Sequence, residues 1–266
     1  MHLHADLPPD WLVPQWPAPA RVRAVCTTRG GGRSVAPYAS LNLGDHVGDD
    51  ILAVGANRAL LHAAIEARPV FLHQVHGHAV VLLDAHTAQG TQADACCTEQ
   101  TGVACTIMVA DCLPVLFTDT QGRFVAAAHA GWRGLAGLDG VGVLESVCAR
   151  WMPSGHEGYG PNAIKTIAWL GPCIGPQAFE VGGEVKAAFE ASDPQAERCF
   201  RPSVQPGKWL ADLPALARQR LHALGITQIY GNDGSPAWCT VSNPSRFFSH
   251  RRDGVSGRMA ACIWLA

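Results

Sequence analysis

The chain carries 266 residues, 48% of them hydrophobic and 16% charged, with a formal charge of −2. That is enough apolar material for a sizeable core, and it offers no clustered Lys and Arg to grip nucleic acid or an anionic membrane. The strongest basic run is Arg251-Arg252, no apolar run is long enough to span a bilayer, and none of the ten cysteines forms a CxxC pair, so structural zinc-knuckle and thioredoxin chemistry are excluded.

In chain order, residues 1–20 are rich in Pro and Trp and are expected to wrap the surface. Residues 1–16 have no basic stretch followed by an apolar one, so the expectation is a cytoplasmic chain whose thiols stay reduced and pack as small hydrophobes. An apolar stretch at 22–25 leads into the loop Gly30-Gly31-Gly32, which lacks nucleotide-loop spacing. Asp49-Asp50 then precede apolar residues at helical spacing, which predicts a capped helix over 51–65. Strands are expected at 71–72, 80–83, 102–109, 114–117 and 124–128, followed by a helix at 141–151 and an exposed turn at 154–162. A strand at 164–170 ends at Gly171-Pro172, and residues 185–191 read as a helix. Asp212-Leu213-Pro214 opens another helix to residue 224, since proline is tolerated in a first turn. Strands at 226–230 and 260–265 close the chain. Helices and strands mix without strict alternation, and no composition shift marks a boundary. Both features predict a single α+β domain over residues 1–266.

Three segments place a polar residue where an apolar strand gives way to a Gly- or Pro-marked turn: Phe71 to Gly77 around His76, Met108 to Pro114 around Cys112, and Ala128 to Gly134 around His129. Two imidazoles and a thiolate make a zinc set with a fourth position open to substrate or water, and the thiolate argues against magnesium or calcium. The spacing alone leaves open the alternative of a buried Cys112 with two satisfied histidines. Asp111 reads as a partner orienting a histidine, as a general base, or as a turn former. Gly131-Trp132-Arg133-Gly134 suits an anion or a tight turn. Arg251-Arg252-Asp253-Gly254 reads as a solvated turn or a phosphate contact, and Asn42 as a substrate contact or a turn former.

Several runs together resemble one family: Ser40 to Asp50 (SLNLGDHVGDD), Asn57-Arg58, Gln74 to Gly77 (QVHG), Ala110 to Phe117 (ADCLPVLF), His129 to Ala136 (HAGWRGLA), Leu170 to Val185 (LGPCIGPQAFEVGGEV), Asp212 to Ala217 (DLPALA) and Arg246 to Ala260 (RFFSHRRDGVSGRMA). On these motifs the chain resembles the laccase-domain, multifunctional purine nucleoside phosphorylases of bacteria, formerly described as polyphenol oxidases. The resemblance implies two packed mixed β-sheets with flanking helices. It also implies that His76, Cys112 and His129 are both metal ligands and catalytic residues. The implied activity is zinc-dependent phosphorolysis of adenosine, inosine, guanosine and methylthioadenosine, with adenosine deamination. The expected partners are purine nucleosides and phosphate, contacted by Asn42, Arg58, Arg133 and Arg251, in a monomer or weak homo-oligomer. Residues 137–140 are extra relative to the family pattern, and Cys173 stands where the family commonly has Ala.

Two other chemistries compete. Copper is the alternative metal, as in polyphenol oxidation, but a blue-copper site needs histidines flanking its cysteine. No His-Cys-His run occurs, and the only His-x-His pairs are His2/His4 and His76/His78. Cys112 with His129 or His76 as base would instead make a Cys-His hydrolase, which would suit peptidoglycan precursors, a substrate class linked to some relatives.

Overall fold

The computed structural model describes residues 7–150 and 165–266. The exposed turn expected at 154–162 lies outside the described residues, as does the end of the helix expected at 141–151.

The chain opens with β1 (Val22–Cys26) and the glycine loop, then α1 (Ile51–Ile65). Asp50 caps α1, its carboxylate accepting the Leu52 N–H at 2.9 Å, and Val54, Asn57, Leu61 and Ile65 form its buried face at helical spacing. β2 (Arg68–Phe71) starts earlier than its apolar residues suggest and includes Pro69. It pairs only with β5, so it is an edge strand, where a residue without an N–H costs little. β3 (Val80–Leu82), β4 (Ala95–Thr98), β5 (Val103–Val109), β6 (Leu113–Asp119) and β7 (Val125–Ala130) follow. Next come α2 (Trp132–Ala136), α3 (Val143–Cys148), β8 (Thr166–Leu170), β9 (Glu180–Gly182) and α4 (Gly183–Glu190). β10 (Phe200–Pro202), β11 (Lys208–Ala211), α5 (Leu213–Ala223), β12 (Gln228–Gly231), α6 (His250–Asp253) and β13 (Met259–Leu265) complete the chain. Asp212 caps α5 by accepting the Ala215 N–H at 2.9 Å.

Two large mixed sheets carry the fold. One has the order β1-β13-β5-β2 and the other β12-β8-β6-β7-β4-β3; each holds parallel and antiparallel pairs. A third, antiparallel sheet, β10-β11-β9, was not anticipated because its strands have three or four residues, too few to show a period.

Side-chain alternation sorts the core into layers. Cys105 and Ile107 of β5 meet Cys96 of β4, Leu116 of β6 and Ala127 of β7 between the sheets. Ala104 and Met108 turn outward to pack beneath Leu61 and Ile65 of α1. Val115, Phe117 and Ala128 face the other way, toward α3, α4 and α5. Strands buried on both faces read as unbroken apolar runs, which is why β5 and β6 were legible without alternation. Among the described residues no helix is long and apolar enough to cross a membrane.

Candidate metal centre

The loop after β2 brings His76 to the edge of the sandwich. Gln74 anchors it by pairing with Met108 of β5 as a strand would: its amide donates to Met108 O and its oxygen accepts the Met108 N–H, both at 2.8 Å. The loop then wraps the carboxylate of Asp94, which accepts the N–H groups of Val75 (3.1 Å), His76 (2.8 Å) and Gly77 (2.7 Å). His76 sits at φ +61°, in the left-handed region that side chains seldom occupy. Those three N–H bonds hold it there.

Cys112 lies in the turn where β5, in one large sheet, passes to β6, in the other. Asp111 before it has φ +92°. Its carboxylate accepts the Thr240 hydroxyl and the Arg251 N–H, both at 2.6 Å, and its backbone oxygen accepts the Ile174 N–H at 2.9 Å. Asp111 thus shapes the turn that presents Cys112; the carboxylate that orients a histidine is Asp94.

His129 is supplied by β7, paired opposite Pro114 of β6. Its Nδ1 lies 2.8 Å from the fully buried Asp94 carboxylate, and its N–H donates to Asp94 O at 2.7 Å. With Nδ1 held by the carboxylate, Nε2 is the atom left to bind an ion. The Cys112 Sγ and His76 Nε2 are 3.7 Å apart, the two imidazole rings meet edge to face at 4.8 Å, and one ligand atom from each of the three residues lies within 4.8 Å of the others. This donor set fits a metal ion with an open coordination position.

The electrostatics agree with that fit. Burial pushes the Cys112 thiol up, but the charge and hydrogen bonds of His129 and His76 outweigh it and bring its pKa down to about 6. Burial pushes His129 down, and the Cys112 thiolate with the Asp94 carboxylate overcomes this and raises it to about 9. The metal-free pair is therefore a thiolate beside an imidazolium near neutral pH.

Two glycines make the close packing feasible. A Cβ on Gly131 would lie 3.0 Å from both Cys112 Sγ and His76 Cδ2, and one on Gly134 would lie 2.5 Å from Gly77 O. The residues 131–134 are therefore the start of helix α2, pressed against the His76 loop. Residues 137–140 form a short turn bridged by Leu138 and Val141, tied down by Arg220 through Gly140 O at 2.7 Å. Cys173 is buried and packs against Asn232, whose amide reaches its sulfur at 3.4 Å.

The four expected substrate contacts sit in different settings. Asn42 is fully buried; its amide donates to Gly44 O and Asp49, and its oxygen accepts the N–H groups of Gly44 and Arg258. Arg58 lies over the Phe71 ring, donates to Leu43 O at 2.9 Å and pairs with Asp45 at 3.1 Å. Arg133 is exposed and stacks on Trp132. Arg251 donates its guanidinium to the carbonyls of Ala178 and Glu180, while its backbone N–H holds Asp111. Sequence reasoning missed Asp94 altogether. Its only local signal is an acidic residue ahead of an apolar run, and many turns share that.

The family model described as multi-copper polyphenol oxidoreductase laccase matches residues 23–266. A Pseudomonas aeruginosa protein named purine nucleoside phosphorylase is 50% identical, over 96% of this chain and 98% of its own length. The Escherichia coli purine nucleoside phosphorylase YfiH is 48% identical, over 96% of this chain and 98% of its own. A crystal structure of a Neisseria meningitidis protein superposes with a TM-score of 0.86 at 45% identity, covering 96% of this chain and 99% of that one. The structure of YlmD from Geobacillus stearothermophilus gives 0.80 at 32% identity, covering 92% of each chain. A sandwich that gathers two imidazoles and a thiolate at one edge, matched along nearly its whole length by these proteins, belongs to the multi-copper polyphenol oxidoreductase laccase family and to its branch of YfiH-like purine nucleoside phosphorylases.

Proposed function

We propose that the chain is a zinc-dependent purine nucleoside phosphorylase, acting on adenosine, inosine, guanosine and methylthioadenosine, with adenosine deamination as a companion reaction. The observation that carries this reading is the convergence of His76, Cys112 and His129 around a space for one ion, with Asp94 fixing the His129 tautomer. The names of the relatives supply the substrate class. A thiolate with two imidazoles suits zinc. Bound there, zinc would act as a Lewis acid on a substrate oxygen or nitrogen.

This chain's own residues then bind and orient the reactants. Phosphorolysis joins a phosphate oxygen to the sugar carbon while the bond to the purine breaks, and the departing base takes a proton. The site must therefore hold an anion close to a developing positive charge on the sugar. Arg251, on α6 with its N–H bonded to the Asp111 carboxylate beside Cys112, and Arg133, on α2 just after His129, are the arginines we assign to substrate contact. Asn42 acts as a positioning residue through its bond to Arg258.

The test is incubation of pure protein with adenosine and with inosine, with and without phosphate, followed by chromatography. Phosphate-dependent ribose 1-phosphate from both nucleosides is the expected result. Inosine as the sole product from adenosine would reduce the activity to deamination.

A second reading uses the same atoms. The depressed Cys112 thiol beside His129 is what a Cys-His hydrolase needs, with peptidoglycan precursors as the substrate class. Full hydrolytic activity in a chelated, metal-free sample would favour it over the phosphorylase. Copper in place of zinc would make the family's oxidase name literal, and phenol oxidation that rises with copper content would support it.

A further inference from the structure

We propose that Arg258, with the Asp45-paired Arg58 beside it, is the receptor for inorganic phosphate next to the His76, Cys112 and His129 cluster. Its role in turnover rests on the phosphorylase reading; its capacity to bind the anion does not.

The topology places Arg258 at the mouth of the Cys112 turn. β13 pairs antiparallel with β5 so that Met259 faces Val109, which sets Arg258 alongside Ala110, two residues before Cys112. The loop 40–46 fastens it there. The Arg258 N–H donates to Asn42 at 2.8 Å and its carbonyl accepts the Leu43 N–H at 3.0 Å. A Cβ on Gly44 would come within 2.8 Å of Arg258 Cγ, so the loop lies flat against the arginine stem. Arg58 arrives from α1 on the same corner. Its Nε bonds Leu43 O, its Nη1 pairs with Asp45 at 3.1 Å, and its Nη2 reaches the thioether of Met108, whose rung of the sheet is shared with Ala260.

The donors left over argue for an anion. Arg258 spends Nη1 on the carbonyls of Ser256 and Gly257. Among the described residues its Nε and Nη2 have no acceptor, and it joins no ion pair. Burial lowers the Arg258 pKa while the charges of Cys112 and Asp111 work against that, so its guanidinium lies within the field of the cluster. His46 feels the same corner: burial lowers its pKa first, and the charges of Arg258 and Arg58 lower it further against the pull of Asp45. The Asp111 carboxylate is already committed to Thr240 and the Arg251 N–H. A half-buried guanidinium with a free edge is a receptor for a tetrahedral oxyanion, because its planar fork matches two oxygens at once. Arg251 likewise spends only Nη1 on two carbonyls, but it is exposed, as is Arg133 on Trp132, so neither offers a guanidinium edge as shielded from water as that of Arg258.

The test titrates inorganic phosphate into the metal-loaded full chain by calorimetry and measures inosine phosphorolysis at varied phosphate. Arg258→Gln is expected to weaken phosphate binding and raise the phosphate KM by about tenfold or more. Zinc content and inosine KM should stay within about twofold of wild type. Arg258→Lys should recover part of the loss, and Lys208→Gln, the removal of an exposed charge on β11, should change nothing. If Arg258→Gln does not fold, Arg258→Lys carries the test, with a raised phosphate KM at full zinc content. Phosphate affinity unchanged in Arg258→Gln overturns the proposal. So does loss of AMP binding with phosphate binding intact, which would mark a nucleotide-phosphoryl site. A wild type that binds phosphate through Arg258 but turns over no nucleoside would sink the phosphorylase reading and leave this site standing.

Discussion

Four donors converge on the Asp94 carboxylate: the N–H groups of Val75, His76 and Gly77, and the His129 ring. One buried anion thus sets the backbone of one ligand and the tautomer of another. Burial alone would raise its pKa, but the His129 bond and the backbone donors hold it below the ordinary carboxylate range. Asp94→Asn keeps the shape and places an amide NH2 among N–H donors. Zinc affinity is expected to fall about 10- to 100-fold, measured by competition with a chromogenic chelator; unchanged affinity would show that the carboxylate does not support the site. The Cys112–His129 pair gives a second prediction at this scale. His129 is raised to about 9, so in the metal-free chain its contribution to stability is complete below the unfolded imidazole value of about 6.5 and is lost as pH rises through 9. Cys112 is depressed to about 6, so its contribution is complete above the unfolded thiol value of about 8.5 and is lost as pH falls through 6. Between those unfolded values the two slopes cancel, because folding moves a proton from thiol to imidazole. Zinc uptake there must displace the remaining proton from His129, so affinity should rise about tenfold per pH unit from 7 to 8.5 from this pair. A flat profile over that window would contradict the ion pair.

The elements matter by where they end. β2, β5 and β7 each stop at the site, and the glycines of α2 let its first turn lie against the His76 loop. Gly131→Ala should push a methyl against Cys112 and His76 and lower zinc content while far-ultraviolet dichroism stays unchanged. Gly55→Ala is the contrasting substitution, in the middle of α1 with nothing within 4 Å of the added Cβ. It should stabilise the chain by about 0.5–1 kcal/mol, read from urea denaturation. Legibility follows the same division. α1 and α5 could be read from capping aspartates and helical spacing, and β5 and β6 from long apolar runs. β4, with four residues, and the small third sheet show no period, and Gly134 disguises α2 as a turn. The proposed ligand residues stood out because each lies at or just past the end of a strand, beside a marked turn. Asp94 and Arg258 did not, because their roles depend on partners at least seventeen positions away, such as Gly77 and Asn42.

For the whole molecule, the proposed ligand set would work as a clasp. His76 follows a strand of one large sheet, His129 belongs to the other, and Cys112 lies on the crossing between them. An ion held by all three ties the open edge of the sandwich, and by mass action it stabilises the folded state over the unfolded one. Stripping the metal should lower the melting temperature, and Cys112→Ser should abolish most of that difference. The core itself, with Phe117, Trp169 and Phe247 sealed among its layers, should keep the stripped chain folded. The zinc K-edge absorption spectrum of the purified, zinc-loaded chain tests the central claim most directly. It is expected to give one sulfur at about 2.3 Å and two imidazole nitrogens at about 2.0 Å. A first shell without sulfur would mean that Cys112 holds no metal, and the account of the site would fail with it.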